Sequence, residues 1–352
     1  MLTPQEAEAL FHTLGQMVAQ GLSIIFISHK LAEVLRVSHR VAVLRGGKLV
    51  AQAQAVRTNE AELARWMVGH EVAPPQRRLA QRVGAPVCVL EHVSSVGSAR
   101  DRLDDVSVQL RRGEILAIAG VSGNGQVALA DLLCGLRTCS GGKLSLLGQS
   151  MAAAPAMLVA QGLARIPEDR LGTALVGDLP LWENAAAERV GSPYFSRRVA
   201  GLRWVRRAKA HAYARHVVKT FDVRGAGLSA PVRSLSGGNM QKLILGRALL
   251  SPDGQAAKLI VAHQPTWGLD VGAVSYVQSQ LIQARDAGAA VLLISDDLDE
   301  VLMLGDRVAV MHQGRLSEAR AAHEWTRESL GLAMAGAGEG AGHAATSLGV
   351  LA

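Results

Sequence analysis

Two stretches of this 352-residue chain repeat each other. Residues 14–49 (LGQMVAQGLSIIFISHKLAEVLRVSHRVAVLRGGKL) align with residues 281–316 (LIQARDAGAAVLLISDDLDEVLMLGDRVAVMHQGRL), Leu14 falling on Leu281 at an offset of 267. Ile27 and Ile294, Ser28 and Ser295, and Leu31 and Leu298 coincide, as do the EVL triplets at Glu33 and Glu300 and the RVAV runs at Arg40 and Arg307. Each copy reads as a helix, an apolar strand (SIIFIS, VLLIS), a short helix and a second apolar strand (VAVL, VAVM). Strands this uniformly apolar are buried on both faces, and their alternation with helices predicts βαβ units on a parallel sheet. The second copy closes a segment of about 245 residues, whereas the first has almost nothing ahead of it. The order predicts the end of one domain over residues 1–70, a linker over 71–86, a whole domain over 87–332 and a tail over 333–352. The linker is rich in Pro and Arg and lacks a period, and the tail, AGAGEGAGHAATSLGVLA, is of low complexity.

Composition narrows the class. A hydrophobic fraction of 49% supplies a sizeable core and excludes a wholly disordered chain. Lys and Arg exceed Asp and Glu by 37 to 30, a net +7, which permits contact with phosphates or a membrane surface without requiring it. Aromatics at 3% argue against stacking platforms for single-stranded nucleic acid, and no nucleic-acid recognition motif accompanies the charge. Cys88, Cys134 and Cys139 are too few and too unevenly spaced for a disulfide framework or a zinc ribbon, so no metal is expected and a reducing, cytosolic setting follows. No stretch reaches the length of about 18 apolar residues that a membrane-spanning helix needs. The start, MLTPQEAEAL, lacks the build of a signal peptide and reads as a helix opening, with Thr3 as cap, Pro4 at the first position and Glu6 in a capping box.

Within the whole domain, the strand GEILAIA runs into Gly120-Val-Ser-Gly123-Asn124-Gly125-Gln126-Val127 and then a helix. A phosphate-binding loop, G-x-x-x-x-G-K-[ST], takes this strand–turn–helix form because glycines let backbone N–H groups approach phosphate at a helix N-terminus. Gly120 and Gly125 have the required spacing. Gln126 stands where the lysine would reach the phosphates, and Val127 where a hydroxyl would hold Mg²⁺. A glycine-rich turn with no ligand remains an equal reading of this segment alone. A dehydrogenase fingerprint is excluded, since G-x-G-x-x-G has a different spacing.

A second motif is more specific. Leu235, Ser236, Gly237, Gly238, Asn239, Met240 and Gln241 open the helix QKLILGRALL, offering free N–H groups and the positive end of a helix dipole. LSGGNMQ resembles the signature motif of ATP-binding cassette (ABC) proteins, which in that family closes onto ATP held by the P-loop of another cassette. Further residues of the family pattern follow in order, most of them substituted. In KLIVAHQPT, His263 replaces the Asp that positions Mg²⁺ and Gln264 the Glu that polarises the attacking water. Gly268-Leu269-Asp270 resembles the D-loop, although Trp267 stands where Arg is usual. Asp296 occupies the position of the switch His, and Glu168, in Pro167-Glu168-Asp169-Arg170, that of the Q-loop Gln. No aromatic lies between Val93 and Val108, where such domains stack the adenine. Losing a general base costs about 10²–10⁴ in rate. Losing a charge-assisted hydrogen bond costs roughly 1.5–3 kcal/mol. Such losses do not simply add, yet one or two of them leave slow turnover at best, and this site is expected not to hydrolyse ATP.

The first repeat copy is similar to the end of a competent cassette, with His29 of ISHKL at the switch position. Over residues 1–70 and 87–332 the chain resembles the tandem ATPase subunit of bacterial simple-sugar and nucleoside importers, in wording closest to the nucleoside type. The resemblance implies an α/β, P-loop NTPase-like ABC ATPase domain: a parallel-sheet core with an antiparallel β part and a helical subdomain, preceded by the C-terminal remnant of a second such domain. It also implies ATP and Mg²⁺ as ligands of the intact family member, weak or absent here. The implied partners are transmembrane permease subunits, a substrate-binding lipoprotein reached through the permease, and another cassette. The implied place is the cytoplasmic face of the inner membrane, with the run Arg197, Arg198, Arg203, Arg206 and Arg207 in the helical subdomain facing the permease; from the residues alone this run reads first as a solvated helix face. A shortened relative of a parent of roughly 500 residues is the corresponding expectation, on twice the repeat offset, through gene decay or a misassigned start. The contrasting function class is a catalytically silent binding or allosteric module without ATPase activity.

Overall fold

A computed structural model describes residues 4–28, 30–45, 47–69, 80, 82–98, 100–150 and 154–336. The chain divides into two compact units, Met1–Gln76 with Thr266–Ser279, and Arg77–Pro265 with Gln280–Ala352.

The smaller unit contains α1 (Pro4–Ala19), α2 (Leu31–Val37), β1 (Arg40–Arg45), β2 (Lys48–Gln54) and α3 (Glu60–Val68). Pro4 is the first helical residue of α1, where its missing N–H removes no helical bond. Strands β1 and β2 form an antiparallel hairpin. Val34, Val41, Val43, Ala55 and Leu63 make a small buried cluster, with Phe26, Leu31 and Trp66 packed against it. Asn59 caps α3 by accepting the N–H of Glu62 at 2.9 Å.

One expectation fails here. Residues 23–28 form no strand, and Ile25 and Ile27 are 91% and 92% exposed. Backbone groups of an extended segment need a neighbouring strand to bond, and the described strands of this unit, β1 and β2, pair only with each other. The antiparallel β1–β2 hairpin also replaces the parallel βαβ arrangement expected of this copy. His29 lies outside the described residues.

The larger unit begins with β3 (Pro86–Ser95), β4 (Leu103–Arg111), β5 (Ile115–Ala119), α4 (Gln126–Leu133), β6 (Gly141–Leu146) and β7 (Gln149–Ser150). It continues through α5 (Pro155–Gln161), β8 (Leu163–Ile166), α6 (Leu181–Ala186), β9 (Ser196–Val199), β10 (Leu202–Val205), α7 (Arg207–Thr220) and α8 (Gly237–Leu249). After β11 (Leu259–His263) comes α9 (Val271–Asp286), within which the unit boundary falls. The remaining elements are β12 (Ala290–Ser295), α10 (Leu298–Leu304), β13 (Arg307–His312), β14 (Arg315–Leu316), β15 (Arg320–Ala321) and α11 (Arg327–Met334).

The principal sheet has seven strands in the order β14-β13-β5-β12-β11-β8, with β15 also paired to β13. Strands β13, β5, β12, β11 and β8 run parallel. Every residue of β5, β11 and β12 is buried, as continuous apolar runs in a covered parallel sheet must be. The second copy of the repeat therefore forms the expected unit, β12–α10–β13. A four-stranded antiparallel sheet, β4-β3-β6-β7, shows the alternation of a half-solvated surface: Val106, Val108 and Leu110 are buried, and the residues between them are exposed. The core joins these residues to Leu129, Leu132 and Leu133 of α4 and to Leu116 and Ile118 of β5.

Elements α6, α7 and α8 make up a helical part. Its interior holds a fully buried Arg247, which donates to the carbonyls of Ala174 (2.8 Å) and Asn184 (3.3 Å) and to Glu188 (3.4 Å). Three arginines of the basic run, Arg197, Arg198 and Arg203, lie on the β9–β10 hairpin rather than on a helix.

Candidate functional site

Where β5 ends, the chain has no room for a side chain. A Cβ on Gly120 would lie 2.6 Å from Nε2 of Gln126 and 2.7 Å from the carbonyl oxygen of Met311. Gly125, at φ +107°, caps α4 in the left-handed region that glycine favours. Gln126 is 4% exposed and folds back into the loop. Its Oε1 accepts the N–H of Asn124 at 2.9 Å, and its Nε2 donates to the carbonyl of Val121 at 2.9 Å. Asn124 donates from Nδ2 to the same carbonyl at 2.8 Å and accepts the N–H of Gln313 at 2.9 Å. These groups satisfy one another. Lysine has no acceptor atom and could not replace the Oε1 bond. Val127 is partly exposed and brings no oxygen.

Sequence reasoning missed two neighbours of this loop. Arg100 and Arg102 line an open cleft of about 790 Å³ with Ser122, Gly123, Asn124 and Gln313. The signal lies in the segment between Val93 and Val108, which lacks an aromatic but carries both arginines.

Val127, Glu168 and His263 meet around a smaller cavity of about 200 Å³, with Asp131, Arg165 and Glu188 in its lining. His263 ends β11, and its Nε2 stands 3.6 Å from Oε2 of Glu168, beyond hydrogen-bond reach. Burial pushes the His263 imidazole down to about 4. Burial also pushes the Glu168 carboxyl up, reinforced by the negative charges of Asp296 and Asp169. Magnesium wants a near-octahedral shell of oxygen ligands. An imidazole at the end of β11 and a valine at position 127 do not fit it.

Gln264 is buried, holds a positive φ of 48° and donates its N–H to the carbonyl of Ile294 at 2.8 Å. Its side chain lies beside the Asp296 carboxylate, whose Oδ1 is buried without a hydrogen-bond partner. Burial raises the Asp296 carboxyl above its ordinary value, against the lowering influence of Gln264. An amide at position 264 cannot take a proton from water. Gln264 and Asp296 are thus brought together at the ends of adjacent parallel strands.

The signature segment has a different character. Ser236 is exposed and caps the 13-residue α8, its Oγ accepting from the N–H of Asn239 at 3.4 Å and from Asn239 Nδ2 at 2.9 Å. Asn239 Oδ1 accepts the N–H of Arg224 at 2.7 Å. Leu235 and Met240 are buried and hold the segment, while Oε1 of the buried Gln241 accepts from Nε of Arg170 at 3.1 Å. A Cβ on Gly237 would sit 3.3 Å from Nη1 of Arg170. The first N–H groups of a helix lack intrahelical acceptors, and here they belong to Gly237 and Gly238. Asp270 belongs to the other unit, where its Oδ1 accepts the N–H of Ala273 at 2.9 Å at the start of α9.

Cys88 and Cys134 are buried, their thiols pushed up to about 12, so neither is an available nucleophile. Among the described residues no group of three or more His, Cys, Asp or Glu could hold a metal ion, and no helix is long and apolar enough to cross a membrane.

The pattern of the ABC transporter family matches residues 103–261. The glucose import ATP-binding protein TsgD13 of Haloferax volcanii is 39% identical over 344 residues, covering 96% of this chain and 61% of that protein. The guanosine import ATP-binding protein NupO of Bacillus subtilis is 38% identical over 340 residues, covering 96% of this chain and 65% of its own length. The chain thus spans a little under two thirds of the length of these relatives. An ATP-binding subunit of an ABC transporter superposes with a TM-score of 0.56 at 22% identity, over 71% of this chain and 99% of that one. A cassette named MJ0796, solved with ADP and Pi, superposes with a TM-score of 0.54 at 19% identity, over 67% of this chain and 98% of that one. Matched segment, relatives and solved structures agree that the chain contains a domain of the ABC transporter family with the ABC ATPase fold.

Proposed function

We propose that this chain works within the ATP-binding, energy-coupling subunit of an importer for nucleosides or simple sugars, and that its own P-loop site is hydrolytically silent. The names of the relatives, import proteins for glucose, guanosine and nucleosides, support the transport class. The observation that carries the silent site is Gln126. Its side chain satisfies the loop from within, next to a cavity edge where Val127 and His263 replace oxygen donors. The signature presents an exposed Ser236 and the helix-opening N–H groups of Gly237 and Gly238, available to ATP held by the P-loop of another cassette, whose Lys, hydroxyl and carboxylates would hold Mg²⁺. The transported solute would pass through permease subunits, delivered by a binding lipoprotein, with this chain peripheral on the cytoplasmic side. Residues 1–70 and 87–332 then correspond to the end of one cassette and a whole second cassette.

The chain is to be mixed with a cassette bearing an intact P-loop and a disabled signature. ATP hydrolysis should appear on mixing and be abolished by Ser236→Arg, a change at an exposed cap. Equal stimulation by the Ser236→Arg chain would sink the reading.

A further inference from the structure

Strands β9 and β10 form a hairpin whose base is fixed and whose tip is bare. At the base, Phe195 is fully buried against Tyr213, ring centroids 5.2 Å apart, and the N–H of Arg206 bonds the carbonyl of Phe195 at 2.7 Å. At the tip, Ala200 and Gly201 both hold positive φ, 49° and 80°, as a tight two-residue hairpin turn demands. The register pairs Leu202 with Val199, Arg203 with Arg198, and Trp204 with Arg197. Cross-strand partners share a face, so Val199, Leu202, Trp204 and Arg197 lie on one side and Arg198, Arg203 and Val205 on the other.

This surface is costly to leave in water. Leu202 is 65% exposed and Trp204 58%, with Val199 and Val205 also exposed. Arg197, Arg198, Arg203, Arg206 and Arg207 crowd the same ten or so residues, and among the described residues no ion pair involves them. The hairpin and its flanks carry no carboxylate.

We propose that the β9–β10 hairpin docks on an anionic lipid surface, its arginines on headgroup phosphates and Val199, Leu202 and Trp204 in the headgroup–acyl boundary. Two features favour a bilayer. Cations on both faces find negative charge around the whole tip only where the hairpin is partly immersed in a headgroup layer. Exposed aliphatic side chains at the turn gain from an apolar layer just beneath that charge, which a nucleic-acid backbone lacks. Tryptophan at this depth is the side chain with an apolar body and a polar edge. The proposal needs neither nucleotide nor permease and stands independently of the import reading.

The purified full chain is to be sedimented with vesicles of phosphatidylcholine alone and of phosphatidylcholine mixed with phosphatidylglycerol. Binding should appear only with the anionic lipid and weaken with salt. Arg197→Glu, Arg198→Glu and Arg203→Glu together should lower it at least a hundredfold, at roughly fivefold per removed cation. Leu202→Ser with Trp204→Ser should lower it at least tenfold, with circular dichroism unchanged. Lipids brominated in the acyl chain should quench tryptophan fluorescence in the parent chain and much less in Trp204→Phe, which keeps the ring hydrophobe and the fold. Equal binding to neutral vesicles would overturn the proposal. So would displacement by millimolar inorganic phosphate, which would mark a free-anion site, or preference for duplex DNA with no vesicle binding. Unchanged binding by both sets of folded variants would overturn it as well.

Discussion

The Gln126 amide bridges its own loop, with Oε1 2.9 Å from the backbone nitrogen of Asn124 and Nε2 2.9 Å from the carbonyl oxygen of Val121. A phosphate approaching this helix N-terminus would have to displace a satisfied side chain rather than fill an open nest. Replacing Gln126 by Lys removes the acceptor for Asn124 and supplies a cation. The expected result is a less stable ligand-free protein, by about 1–2 kcal/mol, and ATP binding tightened about 10- to 100-fold. Thermal melts and titration calorimetry measure the two changes. Turnover should stay absent, because His263 and Gln264 are untouched.

Gly125→Ala tests the backbone of the same loop. The residue holds φ +107°, and an added Cβ would meet the carbonyl oxygen of Arg102 at 2.7 Å. Left-handed strain and this contact together should cost about 1–3 kcal/mol. A lowered urea midpoint with an unchanged slope is the expected signature.

His263 makes stability depend on pH. Its folded value, about 4, lies below the ordinary imidazole value of about 6.5 because burial disfavours the charged ring. Between those values the unfolded chain binds more protons than the folded one. The contribution is therefore complete above about pH 6.5 and is lost as pH falls towards 4, by up to about 1.4 kcal/mol per unit. Glu168, raised by burial, works in the opposite sense: its protonated form favours folding at low pH, and that benefit fades as pH rises through its folded value. Urea melts of His263→Asn between pH 4 and 7 should show a shallower acid loss than the parent.

Arg247 is the largest fully buried side chain, and with Arg165 it shares Glu188, itself only 7% exposed at the side chain. Arg247→Ala strands Glu188 with one partner and frees the carbonyls of Ala174 and Asn184. Breaking a buried pair in this way should cost about 3–5 kcal/mol. Chemical denaturation checks it. Arg247→Met, which refills the volume, should recover part of the loss.

Much of this was legible in the sequence. The repeat located β12, α10 and β13, and the glycine spacing located the turn at Gly120 and Gly125. Residues 23–28 carry the same apolar pattern as β12 yet form no strand, because pattern encodes the wish for neighbours and not their presence. Arg247 lies in GRALL, where nothing local marks it as buried. Its acceptors, Ala174, Asn184 and Glu188, come from about 60 to 70 positions earlier. The substitution at Gln126 could be read, but not its turn back onto Val121, since side-chain direction depends on the folded loop. The arginines of the β9–β10 hairpin were visible as a run, while their placement on strands with Trp204 required the register.

The central claim is that the P-loop site of this chain does not turn over ATP. Steady-state phosphate release by the purified chain, with Mg²⁺ and saturating ATP and no second cassette, tests it most directly. The expected rate is indistinguishable from that of buffer and unchanged by Gln264→Ala. A Mg²⁺-dependent rate near the usual enzymatic range, about 1 s⁻¹ or above, that falls in Gln264→Ala would contradict it.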